Sequence, residues 1–278
     1  MMSDIAKKLQ ETAKRLLDDG TVGYVVGWEA TKFKDKTKPA FITKPEDAGR
    51  LVWNEYCVNS LAKYALDDRY PDNKIGICIR GCDSRAITRL ITDNQVLRDN
   101  VYLIGIPCDG KNMDVCKTCA YKNPAIYDEL IGDPVAEAPG DRFAEVHEME
   151  ALTPDERYKF WETQYEKCIR CYACRNICPA CNCRECYANQ ARVGWQGKQF
   201  NTAQNQVYGL TRAYHVGDRC IECGECTRVC PMDIPVMRQT KKILKDINDL
   251  FGKYECGLPD DRAQILGEYD LGDADEFM

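Results

Sequence analysis

The sequence predicts an α+β protein in two parts: an N-terminal α/β domain with a small parallel sheet, and a C-terminal domain that is mostly α-helical. Three observations lead there. Residues 74–106 run as a compact apolar strand, a helix and a second apolar strand, the rhythm of adjacent parallel strands joined by a crossover helix. Residues 168–231 carry one cysteine phrase twice, with a spacing that suits short turning loops. Segments before, between and after the two copies repeat apolar residues at helical intervals.

Taken in order, Asp4 to Leu17 place Ile5, Leu9, Leu16 and Leu17 at helical spacing, and Asp19-Gly20 stops the helix. Val22–Trp28 and Ala40–Thr43 read as short strands. A longer helix is expected from Pro45 to about Leu66, carrying Leu51, Val52, Tyr56, Val58, Leu61 and Tyr64, with Cys57 inside it as a small core residue. Lys74–Ile79 reads as a strand, Asp83–Asp93 as a helix and Val101–Ile106 as a strongly apolar strand. From Gly132 to Glu150, Pro134, Pro139 and Gly140 sit among acids, the composition of a linker. Thr153-Pro154-Asp155-Glu156 is a capping box with proline at the first helical position, and its helix carries Phe160, Trp161 and Tyr165 towards Cys168. Thr202–His215 is helical with Val207, Leu210 and Tyr214 as its apolar positions. Pro235 to Phe251 follows with Met237, Ile243, Leu244, Ile247 and Leu250, and Lys241, Lys242 and Lys245 on a solvated face.

The expected division is therefore 1–131 (α/β domain), 132–152 (acidic linker), 153–256 (helical domain) and 257–278, a tail acidic from Asp260 onward. Such acidic tails are usually disordered; in this one Ile265, Leu266, Tyr269, Leu271 and Phe277 are interspersed with the acids, and the alternative is ordering against a partner subunit.

The repeated phrase is Cys168-Ile-Arg-Cys171-Tyr-Ala-Cys174-Arg-Asn-Ile-Cys178-Pro179 and Cys220-Ile-Glu-Cys223-Gly-Glu-Cys226-Thr-Arg-Val-Cys230-Pro231. Both copies read C-x2-C-x2-C-x3-C-P, the run that holds [4Fe–4S] clusters in bacterial two-cluster ferredoxins. Three thiolates spaced three residues apart wrap a turning loop around one cubane. The fourth lies beyond that reach and ligates the other cluster. One cluster is thus expected on Cys168, Cys171, Cys174 and Cys230, and the other on Cys220, Cys223, Cys226 and Cys178, an exchange that sets the two side by side. The expected C-terminal fold is a mostly α-helical dicluster ferredoxin domain. The alternatives are zinc, which prefers two separated C-x2-C pairs, and disulfides.

A second constellation lies at the C-terminal ends of the predicted parallel strands, where α/β sheets place their ligands. Cys82, Cys108, Cys116 and Cys119 supply four thiolates from two strand-end loops and a C-x2-C turn, a third [4Fe–4S] candidate. Gly81 and Gly110 give the backbone freedom to approach an inorganic core. Zinc on the same four cysteines, or free core thiols, is the competing reading. Cys78 is then a buried spare. Gly81-Cys82-Asp83-Ser84-Arg85, at a strand-to-helix turn, either receives an anion or flavin phosphate or simply caps its helix. Cys181, Cys183 and Cys186 directly follow the first motif, and with one donor from elsewhere they hold a further metal or pack as thiols near the first cluster. Cys256 is isolated.

Composition narrows the function class. The net charge of −6 argues against nucleic acid as a main partner. No apolar run approaches the ~20 residues that cross a bilayer, and the first residues lack a signal peptide's hydrophobic core. Eighteen cysteines in such a chain read as metal ligands in a reducing cytoplasm rather than as a disulfide framework. With only His147 and His215 present, histidine-rich metal chemistry is nearly excluded.

Lys167-Cys-Ile-Arg-Cys-Tyr-Ala-Cys-Arg-Asn-Ile-Cys-Pro179, Cys181-Asn-Cys183 and Cys220-Ile-Glu-Cys-Gly-Glu-Cys-Thr-Arg-Val-Cys-Pro231 resemble iron–sulfur subunits encoded beside formate dehydrogenases, hydrogenases and heterodisulfide-reductase-like proteins. Gly81-Cys-Asp-Ser-Arg85 with Gly105-Ile-Pro-Cys108 is similar to the β subunits of deazaflavin-dependent hydrogenases and dehydrogenases. The resemblance implies a cytoplasmic electron-transfer subunit of a multi-subunit oxidoreductase of anaerobic metabolism. Its partners are then other oxidoreductase subunits, a flavoprotein or ferredoxin among them. It also implies a second reading, a flavin-containing subunit exchanging hydride with a deazaflavin or nicotinamide carrier. FAD rests on the resemblance alone, since the chain has no G-x-G-x-x-G fingerprint. A zinc-stabilised assembly scaffold is the third reading. No general acid, base or nucleophile is posed, so substrate chemistry is expected on another subunit.

Overall fold

The computed structural model describes residues 4–67, 74–137, 140–190, 192–197, 199–259 and 265; from Asp260 on, Ile265 apart, the expected acidic tail lies outside the described residues. Two compact units are formed among the described residues, one of residues 4–140 with 257–259 and one of residues 141–256.

In the first unit, helix α1 (Asp4–Asp18) buries Ala6, Leu9, Thr12, Ala13 and Leu16, a stripe at three- and four-residue spacing, and Gly20 ends it at a positive φ of 71°. Strands β1 (Tyr24–Ala30), β2 (Thr37–Ile42), β3 (Ile75–Ile79), β4 (Val101–Gly105) and β5 (Glu129–Leu130) form one sheet in the order β2-β1-β3-β4-β5. β1, β3, β4 and β5 are parallel neighbours, as expected of this sheet. β2 is antiparallel to β1, so the sheet is mixed. The short connection between those two strands closes a hairpin, which only antiparallel pairing allows. Every residue of β3 is buried, which is why this central strand reads as a continuous apolar run. Helix α2 (Gly81–Thr92) crosses from β3 to β4.

The helix expected over 45–66 does not form. A 3-10 turn spans Pro45–Arg50 and another spans Ala62–Leu66, with irregular chain between them. Leu51 bridges to Glu29, the Val52 N–H bonds Trp28 O at 2.8 Å, and the Asn54 side chain accepts from the Tyr56 N–H at 2.9 Å. Asparagines compete with the helix for backbone partners, and aromatic and β-branched neighbours weaken it further. The apolar residues still do their work: Leu51, Cys57, Leu61 and Ala62 are fully buried.

In the second unit, helix α3 (Ala144–Glu150) occupies part of the stretch that composition read as linker. It buries Val146 and Met149. Helix α4 (Pro154–Lys167) starts at the expected capping box on Thr153 and Glu156. Short helices α5 (Ala173–Ile177) and α7 (Glu225–Arg228) each follow a cysteine loop, and α6 (Thr202–His215) and α8 (Val236–Phe251) complete the unit. The α8 lysines are not a free face: Lys241 pairs with Glu145 at 3.0 Å, and Lys242 and Lys245 pair with Glu150 at 2.9 and 3.4 Å.

Helix α6 faces the opposite way from its apolar pattern. Val207, Leu210 and Tyr214 are 46%, 51% and 57% exposed, whereas Asn205, Tyr208 and Arg212 are buried. The face turned inward meets cysteine loops whose carbonyls and sulfurs need donors, which apolar side chains cannot supply. At Gly209 the helix comes so close to α4 that a Cβ would lie 1.9 Å from the Tyr165 hydroxyl.

Candidate metal centres

The two copies of the cysteine phrase have the same backbone. In the first loop Arg170 and Tyr172 take positive φ of 46° and 59°; in the second, Glu222 and Gly224 take 59° and 75°. These residues stand two and four places after Cys168 and Cys220. Left-handed backbone costs a non-glycine residue about 1–2 kcal/mol, so its recurrence in register calls for a cause. Left-handed residues placed this way help turn successive N–H groups into one concavity, a device used at anion and iron–sulfur sites. The Glu222 N–H donates to Cys220 Sγ at 3.4 Å, and the Arg170 backbone amide bonds Cys168 in the same way. Tyr172 and Gly224 then open α5 and α7. Those helices deliver the fourth cysteines, with the Cys178 N–H on Arg175 O at 3.3 Å and the Cys230 N–H on Thr227 O at 3.2 Å.

Burial raises the Cys168 thiol, and Cys174, Cys230 and Cys171 add repulsion. Burial likewise raises Cys174, with Cys230 and Cys171 beside it. Cys220 and Cys223 are raised by burial, and both lie near Cys178 and Cys226. Cys226 is pushed up to about 11 by burial and by Cys178 and Cys174, against the pull of Arg212. Two sets of neighbours result: Cys171, Cys174 and Cys230 lie near Cys168, and Cys178 and Cys226 lie near both Cys220 and Cys223. Cys174 and Cys226 also lie near one another. Cys178 goes the other way, lowered to about 5 by a hydrogen bond from Cys181 that outweighs its burial, with help from Arg212. Cys183 is exposed and Cys186 half-buried. Among the described residues no three His, Cys, Asp or Glu side chains converge tightly enough to hold a single metal ion.

The buried face of α6 serves the first loop, and sequence reasoning missed it. Asn205 Nδ2 donates to Tyr165 O at 3.0 Å and to Cys168 O at 2.8 Å. The Tyr208 hydroxyl lies 3.9 Å from Cys174 Sγ. Arg212 donates through Nη2 to Cys174 O at 3.1 Å, while its Nε and the Asn205 Oδ1 are buried without a protein partner. Burial works against the Arg212 charge, but Cys178, Cys226, Cys181 and Cys174 around it hold it firmly cationic. The detectable signal was an i, i+3, i+7 polar stripe in a helix lying between two cysteine loops. The donor-lined, thiol-rich surroundings of both groups suit anionic [4Fe–4S] clusters, which accept hydrogen bonds at sulfur.

In the first unit Cys82 sits in the first turn of α2, Cys108 follows β4, Cys116 lies in the 3-10 turn Asp114–Thr118 and Cys119 ends it. Burial raises Cys82 well above its ordinary range; Arg80 opposes this, and Cys108 and Cys119 add to it. Burial also raises Cys116 and Cys119, each with Cys108 nearby. The four candidates therefore share one neighbourhood, flanked by Arg80 and Arg85. Cys78 is buried in β3, its thiol driven far up by desolvation.

The strand-to-helix turn is used internally. Asp83 Oδ2 accepts from Arg80 N and Nε at 3.2 and 2.7 Å, closing a capping box. Ser84 Oγ donates to Gly81 O and accepts from the Ala125 N–H at 2.8 and 2.9 Å. A Cβ at Gly81 would meet Tyr121 O at 2.2 Å, so that glycine admits the chain's own backbone. Of the two roles weighed for this turn, capping is the one its contacts perform.

The 4Fe-4S dicluster domain family matches residues 164–234. The F420-dependent formate dehydrogenase subunit beta of Methanocaldococcus jannaschii is 22% identical, over 86% of this chain and 88% of that protein. The F420-dependent formate dehydrogenase 1 subunit beta of Methanococcus maripaludis is 24% identical, over 91% of each. Among solved structures, a chain of the F420-reducing [NiFe] hydrogenase complex from Methanosarcina barkeri is 22% identical with a TM-score of 0.30, covering 39% of this chain and 41% of that one. With two relatives matched along nearly their whole length and a domain match that spans both cysteine loops, this chain is similar over most of its length to the β subunits of F420-dependent formate dehydrogenases and matches a 4Fe-4S dicluster domain over residues 164–234.

Proposed function

We propose that this chain is an iron–sulfur electron-relay subunit of a cytoplasmic, multi-subunit oxidoreductase of anaerobic metabolism. When bound, [4Fe–4S] clusters supply one-electron redox chemistry, and the protein sets potentials through burial and hydrogen bonds to sulfur. Cys168, Cys171, Cys174 and Cys230 hold one cluster; Cys220, Cys223, Cys226 and Cys178 hold the other. Cys82, Cys108, Cys116 and Cys119 hold a third. The single observation that supports this reading most is the left-handed pattern repeated in both loops, a strain that N–H groups gathered around an anionic core explain. Its partners are the other subunits of such a complex. Among the described residues no helix is long and apolar enough to cross a membrane.

The F420 dependence in the relatives' names favours one further reading, a flavin in the first unit that exchanges hydride with a deazaflavin carrier. One experiment addresses both. Anaerobically purified native complex is assayed for iron, acid-labile sulfide, zinc and flavin per chain. About twelve iron atoms are expected for three cubanes, and about eight remove the N-terminal one. Bound flavin that bleaches with reduced carrier adds the hydride role. Iron-free protein, silent in EPR after dithionite, overturns the proposal, and zinc in place of iron makes the chain a structural scaffold.

A further inference from the structure

The charge of Arg212 on α6 has Cys178, Cys226, Cys181 and Cys174 around it, thiols of both sets among them. It is 4% exposed, anchored by its Nη2 on Cys174 O at 3.1 Å. Its Nε–H is buried and has no acceptor in the protein. A buried donor left unmatched costs about 1–3 kcal/mol, and a cation removed from water costs several more. Packing alone does not account for such a residue, because a leucine or methionine would fill the space without either cost. Sulfur acceptors of a bound anionic core at this place would satisfy both the charge and the free N–H.

We infer that Arg212 is a positioning residue shared by the two clusters, which would raise both reduction potentials by holding one positive charge near the cysteines of each. Adding an electron makes each cluster more negative, so a fixed cation in a low-dielectric setting favours the reduced form. The same charge makes the two midpoints move together, whereas Tyr208, whose hydroxyl lies 3.9 Å from Cys174 Sγ, bears on the cluster of that cysteine.

This inference rests on the two-cluster reading above, and the test separates the two. Full-length Arg212→Gln, Arg212→Lys and Tyr208→Phe are prepared anaerobically, assayed for iron and sulfide, and titrated by EPR against applied potential. For Arg212→Gln the expected result is unchanged iron and a reduced-to-oxidised ratio about tenfold lower for both clusters at the wild-type midpoints, which is ~59 mV for a one-electron couple. Arg212→Lys retains most of the potential, and Tyr208→Phe moves at most one midpoint. Full iron with both midpoints unmoved in Arg212→Gln overturns the role of Arg212, while wild-type protein with too little iron for two clusters overturns the reading beneath it. If Arg212→Gln does not load, wild-type protein carrying 15N-guanidino arginine decides: nitrogen hyperfine coupling on both reduced-cluster signals, lost in Arg212→Lys, supports the inference, and its absence from either signal overturns it.

Discussion

The first cysteine loop and the second share a backbone and differ in what holds it. Two places after its first cysteine, the first loop has Arg170, which donates to Gly197 O at 2.8 Å and lies over the Phe200 ring. The second has Glu222 there, gripped by Arg142 Nε at 2.6 Å. Four places on, Tyr172 packs edge-on against Tyr208 at 5.0 Å with Arg175 over its ring at 4.6 Å, where the second loop has Gly224. Ile169 is 51% exposed and its counterpart Ile221 only 4%. One backbone solution is thus stabilised twice by different means: side-chain contacts offset the left-handed strain at Arg170, Tyr172 and Glu222, and at Gly224 glycine avoids it. The difference teaches that the backbone geometry, rather than any one side chain around it, is what the repeat preserves.

The largest effect comes from breaking the crossing between the loops. Cys178→Ser combined with Cys223→Ser should lose no more iron than Cys223→Ser alone, about four atoms, because both serve one cluster. Cys178→Ser combined with Cys171→Ser should lose about eight. Iron analysis of the three variants reads this directly, and a reversed pattern would assign each fourth cysteine to its own loop.

Next in size is Gly209→Ala. The added Cβ would lie 1.9 Å from the Tyr165 hydroxyl, forcing α6 away from α4. Overpacking of this kind costs about 1–3 kcal/mol. Because α6 carries Asn205 and Tyr208 against the first loop, the first-loop cluster should be released at lower denaturant than the second, seen as loss of its EPR signal.

The smallest effect sharpens the comparison of left-handed sites. Gly224→Ala, at a φ of 75°, should destabilise the second loop by about 1–2 kcal/mol in denaturant unfolding of the loaded chain. Tyr172→Gly should be close to neutral, because relief of strain and loss of the aromatic contact are each about 1 kcal/mol.

What could be read in advance was whatever depends on near neighbours in the chain. The capping box at Thr153, the alternation of β3, α2 and β4, and the spacing of both cysteine phrases are all short-range signals. The expected helix over 45–66 misled because its apolar residues are buried through irregular chain, where Asn54 and the Trp28 carbonyl supply the backbone's partners. The facing of α6 was hidden for a different reason. An apolar stripe and a polar stripe coexist on it, and only the chemistry of the surroundings decides which one turns inward. That choice brought Asn205, Tyr208 and Arg212 to the cysteines, and their i, i+3, i+7 spacing does not by itself say which stripe turns inward.

The margins of the five-stranded sheet carry a consequence for assembly. On one side β2 places Lys38 and Pro39 mid-strand, and on the other β5 is only two residues long. A charged side chain, a proline and a truncated strand are the devices by which sheet borders refuse an incoming strand. Neither border of the described sheet offers another polypeptide a long open template for β-addition, so the sheet is guarded against fibrillar self-association.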